Sequence, residues 1–258
     1  MSGVFYFPYS NPVIIEALIA GSAIGAVLGF VGAGGAMLTV PILVYGFDYP
    51  PHQASIAAIA VVIVAASSGI FPRVKSGEIL IKEALIISGI GAFANIASAQ
   101  IAKNISDELL ITGFSAVIIF AGLTMLRNPV QAHEKPIPLL VLILLSLVIG
   151  SLTGLFGIGG GFLAIPVLVL AFNTPQNKAA GTSLLIIILN SCIAILAHHA
   201  EWADIDWNTP IFMALSAVII GNLAGKQSAK TRPEILRKSF AALLFAIAAF
   251  TLIETWVL

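Results

Sequence analysis

Gly29-Phe30-Val31-Gly32-Ala33-Gly34-Gly35-Ala36-Met37-Leu38-Thr39-Val40-Pro41-Ile42-Leu43-Val44 returns 125 positions further on as Gly154-Leu155-Phe156-Gly157-Ile158-Gly159-Gly160-Gly161-Phe162-Leu163-Ala164-Ile165-Pro166-Val167-Leu168-Val169. Each copy sets a glycine cluster inside an apolar stretch and follows it with a proline. Glycine costs a helix about 1 kcal/mol relative to alanine, and in return the backbone gains freedom and close approach. One break per half, at matching positions, marks the region where a membrane protein built from repeated halves places its binding site.

Composition sets the solvent. Of 258 residues, 59% are hydrophobic and 9% charged, and the mean hydropathy is +1.05. A soluble domain carries about 25% charged residues, so the chain reads as an all-α integral membrane protein in contact with lipid. The net charge is zero, which gives no case for a nucleic-acid partner. A single cysteine, Cys192, excludes an intramolecular disulfide framework. No cofactor or metal site is expected: His198, His199 and Glu201, with Asp204 and Asp206, read as a solvated acidic loop, since adjacent histidines face different sides of a helix.

A bilayer core takes about 20 apolar residues as a helix. Residues 13–31, 79–101, 108–126, 137–155, 209–229 and 235–257 qualify. Two irregular blocks, 36–71 and 161–197, lie between them. Each opens with about ten apolar residues, or about 15 Å of helix, and then turns at Asp48-Tyr49-Pro50-Pro51-His52-Gln53 or Asn173-Thr174-Pro175-Gln176-Asn177-Lys178. If each short piece extends the span before it, there are eight crossings and two parallel halves. If it re-enters and turns near mid-depth, the halves are inverted.

Cytoplasmic loops collect Lys and Arg. The plain reading divides the basic residues five against seven, whereas the re-entrant reading leaves only Lys103 and Lys178 outside the cytoplasmic group. The charges therefore favour two inverted repeats, each with three spanning helices and a broken, re-entrant helical hairpin. Residues 1–127 form the first repeat, 128–136 a cytoplasmic linker and 137–258 the second, in a multi-pass inner-membrane protein with both termini outside.

The doubled Gly-x-Gly-Gly-x4-Pro-x-Leu pattern, Gly32 to Leu43 and Gly157 to Leu168, resembles the TauE/SafE family of sulfite and sulfonate exporters, also called TSUP permeases. Lys178-Ala179-Ala180-Gly181-Thr182-Ser183 matches the small-residue segment which that family places after its second glycine motif. The resemblance spans essentially the whole chain and implies secondary transport of a small sulfur-containing anion. The first half departs from the pattern, with Ala36 for the third glycine and Ala54-Ser55-Ile56-Ala57-Ala58 in place of Gly-Thr-Ser.

Helix starts within the membrane offer unpaired N–H groups and about half a positive charge to an anion. On the re-entrant reading the substrate site is the pair of first turns after the hairpin bends: Gln53 and Ser55 in one half, and Lys178, Gly181, Thr182 and Ser183 in the other. Gly32, Gly34, Gly35, Gly157, Gly159, Gly160 and Gly161 are hinge glycines that set those helix ends. His52, Asn95, Asn190 and Asn222 are candidates for the pathway, with a coupling proton or cation left open. Ser183 has no aligned His and Asp to activate it, so an enzyme is not expected. A passive anion channel could use the same helix dipoles.

Overall fold

The computed structural model describes residues 11–33, 35–102, 104–126, 138–156, 161–172, 174–197 and 199–256. The linker and Gly34, Gly157, Gly159 and Gly160 lie outside the described residues. The chain runs through α1 (Asn11–Val31), α2 (Gly35–Pro41, followed by a π-helical turn, Ile42–Gly46), α3 (Pro51–Lys75), α4 (Ile81–Ala102) and α5 (Asp107–Leu126). The second half repeats the order as α6 (Leu139–Phe156), α7 (Gly161–Phe172), α8 (Gln176–Ala197), α9 (Asn208–Lys230) and α10 (Pro233–Trp256). Seven of these helices are long and apolar enough to cross a bilayer: α1, α3, α4, α5, α8, α9 and α10. Large apolar side chains such as Phe93, Phe120 and Ile219 stand exposed on their outer faces, where lipid is the matching solvent. This is an all-α, multi-pass integral membrane protein.

Without a hydrophobic force between helices in lipid, close backbone packing of small residues holds a bundle together. α1 supplies Gly21, Gly25 and Gly29 at four-residue spacing. A Cβ on these would strike, in turn, the Met213 carbonyl, the Ala217 carbonyl and the Gly221 carbonyl of α9. The same device recurs 125 residues on: Gly150 of α6 sits against the backbone of Gly91 in α4. The first helix of each half thus packs on the fourth helix of the other.

The register of these contacts gives the helix directions. Along α1 the contacts advance from Met213 to Gly221, so α1 and α9 run parallel. Gly221 faces Ala65 and Ser68 while Gly225 faces Gly69 and Pro72, so α3 runs with them. Leu184 lies at Gly69 and Asn177 at Arg73, which makes α8 antiparallel to α3. α4 starts beside the first turn of α8, with Leu80 bonded to Thr182, and packs along it. α4 therefore runs against α9, its counterpart in the second half.

Both hairpins use the same backbone bonds. Tyr49 N–H bonds the Leu43 carbonyl at 3.0 Å and Thr174 N–H the Leu168 carbonyl at 3.1 Å, then Ala54 bonds Pro50 and Ala179 bonds Pro175. Their depth differs from the sequence expectation. The turns do not lie near mid-depth but at opposite ends of the bundle. Tyr49 Oη donates to the Asp206 carbonyl at 2.6 Å, just ahead of α9, and Asn177 meets Arg73 near the end of α3. The reason is where the short limb begins. Gly35 packs against Leu28 and Ile24, already a turn or more back from the end of α1. The limb of α2 and its π turn, with a rise of about 1.5 Å per residue, then covers most of the remaining length. The long limbs, α3 with 25 residues and α8 with 22, are full crossings.

Candidate functional site

α8 begins where a proline stops the preceding chain from helix formation and supplies a first acceptor, the Pro175 carbonyl. The N–H groups of a first turn have no partner within their own helix. Around this turn the fold closes tightly. Gly32, at φ 85°, lies so close to Ala180 that a Cβ would overlap it, and Gly181 meets the Glu78 carbonyl in the same way. Only glycine adopts the first conformation freely, and only glycine admits the second contact. Leu80 N–H donates to Thr182 Oγ1 at 3.0 Å, and that hydroxyl donates to the Lys178 carbonyl at 2.7 Å. Ser183 Oγ donates to the Gly161 carbonyl at 2.6 Å. Both hydroxyls are fully buried, and both of their protons are committed to backbone carbonyls.

Beside the turn lies a residue that the sequence placed in a cytoplasmic loop. Arg73 is 0% exposed and heads the largest fully buried side chains. Its Nη1 donates to the Asn177 carbonyl at 3.0 Å. Nη2 donates to the Gly29 carbonyl at 3.0 Å and to Ser228 Oγ at 2.8 Å. One guanidinium thus ties α3 to α1, α8 and α9, across both halves. Among the described residues its hydrogen-bond acceptors are all neutral, while Glu78 lies within electrostatic reach. Burying a charge is costly unless it is paired and hydrogen-bonded, so the cluster is an electrostatically demanding place. Among the described residues, five buried polar atoms of Arg73, Glu78 and the start of α8 have no hydrogen-bond partner: Arg73 Nε, Glu78 Oε2, Gln176 Nε2 and Oε1, and Asn177 Oδ1.

The structure gathers Lys178, Gly181, Thr182 and Ser183 at this turn and adds Arg73, Glu78, Gln176 and Gly32. It does not bring Gln53 and Ser55 to them. α3 and α8 are antiparallel, so their first turns lie at opposite ends, about 30 Å apart at 1.5 Å per residue along α3. Ser55 is exposed and Gln53 half-buried. His52 belongs to the first turn of α3; its side chain is outside the described residues. Asn95 and Asn222 are half-buried on α4 and α9, and Asn190 Oδ1, on α8, is buried with no partner among the described residues. Gly32 and Gly35 form the tight reversal between α1 and α2, and Gly161 packs on Ile187 at the start of α7.

A family model described as "Sulfite exporter TauE/SafE" matches residues 17–251. The chain belongs to the TauE/SafE family. This TauE/SafE protein is 26% identical over 252 residues to a Xylella fastidiosa protein named "Probable membrane transporter protein", covering 94% of this chain and 96% of the relative. It is 26% identical over 238 residues to "Probable membrane transporter protein YdhB" of Bacillus subtilis, covering 89% and 96%. A probable membrane transporter protein of Methanocaldococcus jannaschii is 25% identical over 252 residues, covering 92% and 94%. No solved structure matches the chain.

Arg73 was legible only as one of several basic residues following an apolar run, Phe71-Pro72-Arg73-Val74-Lys75. Nothing in that context separates it from Lys75, which is exposed.

Proposed function

We propose that this TauE/SafE protein is a secondary transporter that carries a small sulfur-containing oxyanion, such as sulfite or a sulfonate, across the cytoplasmic membrane by alternating access. The observation that carries the reading is the opposite direction of α4 and α9. Counterparts that run oppositely are what inverted halves require, and such halves move the access path by rocking about a shared site. The relatives' names agree with transport, and the family description supplies the sulfur oxyanion.

The substrate site in this reading is the first turn of α8. Thr182 and Ser183 hold the turn in shape through their carbonyl bonds, Gly181 and Gly32 let neighbouring backbone close over it, and the first-turn N–H groups with the Lys178 ammonium attract the anion. Charge placement supports the orientation. The turn that contains Lys178 lies at the end where α3 finishes with Arg73 and Lys75, so Lys178 joins the group of basic residues at that end.

Purified protein in liposomes tests the reading. Radiolabelled sulfite should accumulate above its external concentration when a proton or cation gradient is imposed, and be recovered unchanged. Flux that only equalises concentrations would make the protein a channel. For orientation, in a background with Cys192→Ser, cysteines at Ser76 and Asp204 should label from opposite faces. Labelling from the same face ends the inverted arrangement.

A further inference from the structure

We infer that Arg73 and Gln176 form an oxyanion clamp at the first turn of α8, selective for a head group with three oxygens over a planar carboxylate. The inference rests on the transport reading above and names the residues that would choose its substrate.

Arginine has five N–H donors. Three are engaged in Arg73: one on Nη1 by Asn177, and both on Nη2 by Gly29 and Ser228. Carboxylates are recognised best by two parallel N–H donors of one guanidinium. Each such pair on the guanidinium requires an Nη2 proton, and both of those are spent. Two N–H groups remain, the second on Nη1 and the Nε–H; they do not form a parallel pair with each other, and among the described residues the buried Nε has no partner.

Gln176 is the first residue of α8, immediately before the Asn177 carbonyl that Arg73 holds. It is only 4% exposed, yet among the described residues neither amide atom has a hydrogen-bond partner. A buried amide without partners costs free energy that a folded protein rarely leaves uncompensated. A ligand oxygen accepting from Nε2 would relieve it. The donors carried by this turn and by the guanidinium bonded to it belong to separate groups: Arg73 Nε–H, Gln176 Nε2–H and the N–H groups of the first turn. Separate single donors serve a pyramidal or tetrahedral head, whose three oxygens diverge, better than a carboxylate with two oxygens in one plane. Asn177 Oδ1 and Glu78 Oε2 are acceptors without partners. They oppose a bare anion, and Glu78 sets a ceiling on affinity.

Methanesulfonate and acetate differ in the head group and share the methyl, which makes them the probes. Their affinities for the full-length protein in detergent, by calorimetry, and its melting temperature without ligand are the readouts. Wild-type protein should bind methanesulfonate at least tenfold more tightly than acetate. Gln176→Leu should weaken methanesulfonate at least tenfold with little change for acetate, while the ligand-free melting temperature stays level or rises, because an unpartnered amide has been removed. Glu78→Gln should tighten both ligands. If Gln176→Leu binds methanesulfonate like wild type, or if it lowers the melting temperature with affinity intact, the clamp is wrong while the transport reading stands. If wild-type protein neither binds methanesulfonate nor transports sulfite, the transport reading falls with it.

Discussion

The first turns of α3 and α8 occupy matching places in the two repeats and have become different things. They share the proline start and the same hairpin bonds, Tyr49 to Leu43 and Thr174 to Leu168. The α8 turn is enclosed by elements from the first half: Gly32, Arg73, Glu78 and Leu80. The α3 turn carries an exposed Ser55 and, at the positions of Thr182 and Ser183, the buried alanines Ala57 and Ala58. Polar groups from both halves gather at one of the two turns. The short limbs differ too. After Pro41 the first becomes a π-helical turn at Ile42–Gly46, whereas α7 stays α-helical past Pro166. Proline removes a helical N–H, and only the first limb answers it with a change of helix type.

The contrast can be broken most forcefully at Arg73. Arg73→Met removes the donors that join α1, α8 and α9 to α3 and leaves three acceptors unsatisfied, at about 1–3 kcal/mol for each that stays buried. The expected outcome is a large fall in melting temperature and no measurable sulfite flux. Wild-type flux would show the enclosure of the α8 turn to be incidental. Next in size, Gly181→Ala would drive a Cβ into the Glu78 carbonyl and cost about 1–3 kcal/mol, while Ser55→Ala on the exposed α3 turn should stay within about 0.5 kcal/mol. Equal effects in thermal melts would mean that the two turns are not so different. The smallest effect concerns charge. Lys178→Gln should weaken sulfite uptake a few-fold and flatten its dependence on ionic strength, since a charge's attraction is screened by salt. Gln53→Lys, at the matching position of the other turn, should not restore it.

Much of the fold was readable because the cause is local. An apolar run of about 20 residues has to be a helix in a bilayer, where every backbone group needs an internal partner, and α1, α4, α5, α9 and α10 follow. The four-residue spacing of Gly21, Gly25 and Gly29 played no part in the sequence reading, and only the fold shows that these glycines face α9. At the site, Gly181, Thr182 and Ser183 stood out as small and polar residues in an apolar setting, and they lie at the enclosed turn. Their roles were not readable: the hydroxyl protons are spent on the carbonyls of Lys178 and Gly161, which become reachable only when the turn and α7 are in place.

The sequence by itself determined the solvent, the long apolar helices, the doubled motif and the glycine reversal between α1 and α2, since each depends on hydrophobicity and backbone freedom over a few neighbouring residues. Tertiary structure decided the depth of the two turns and the burial of Arg73. The partners of that side chain are 104, 44 and 155 residues away in sequence. A charge followed by Val74 and Lys75 looks solvated until three other helices arrive to surround it, and its burial depends on their acceptors rather than on its own neighbours.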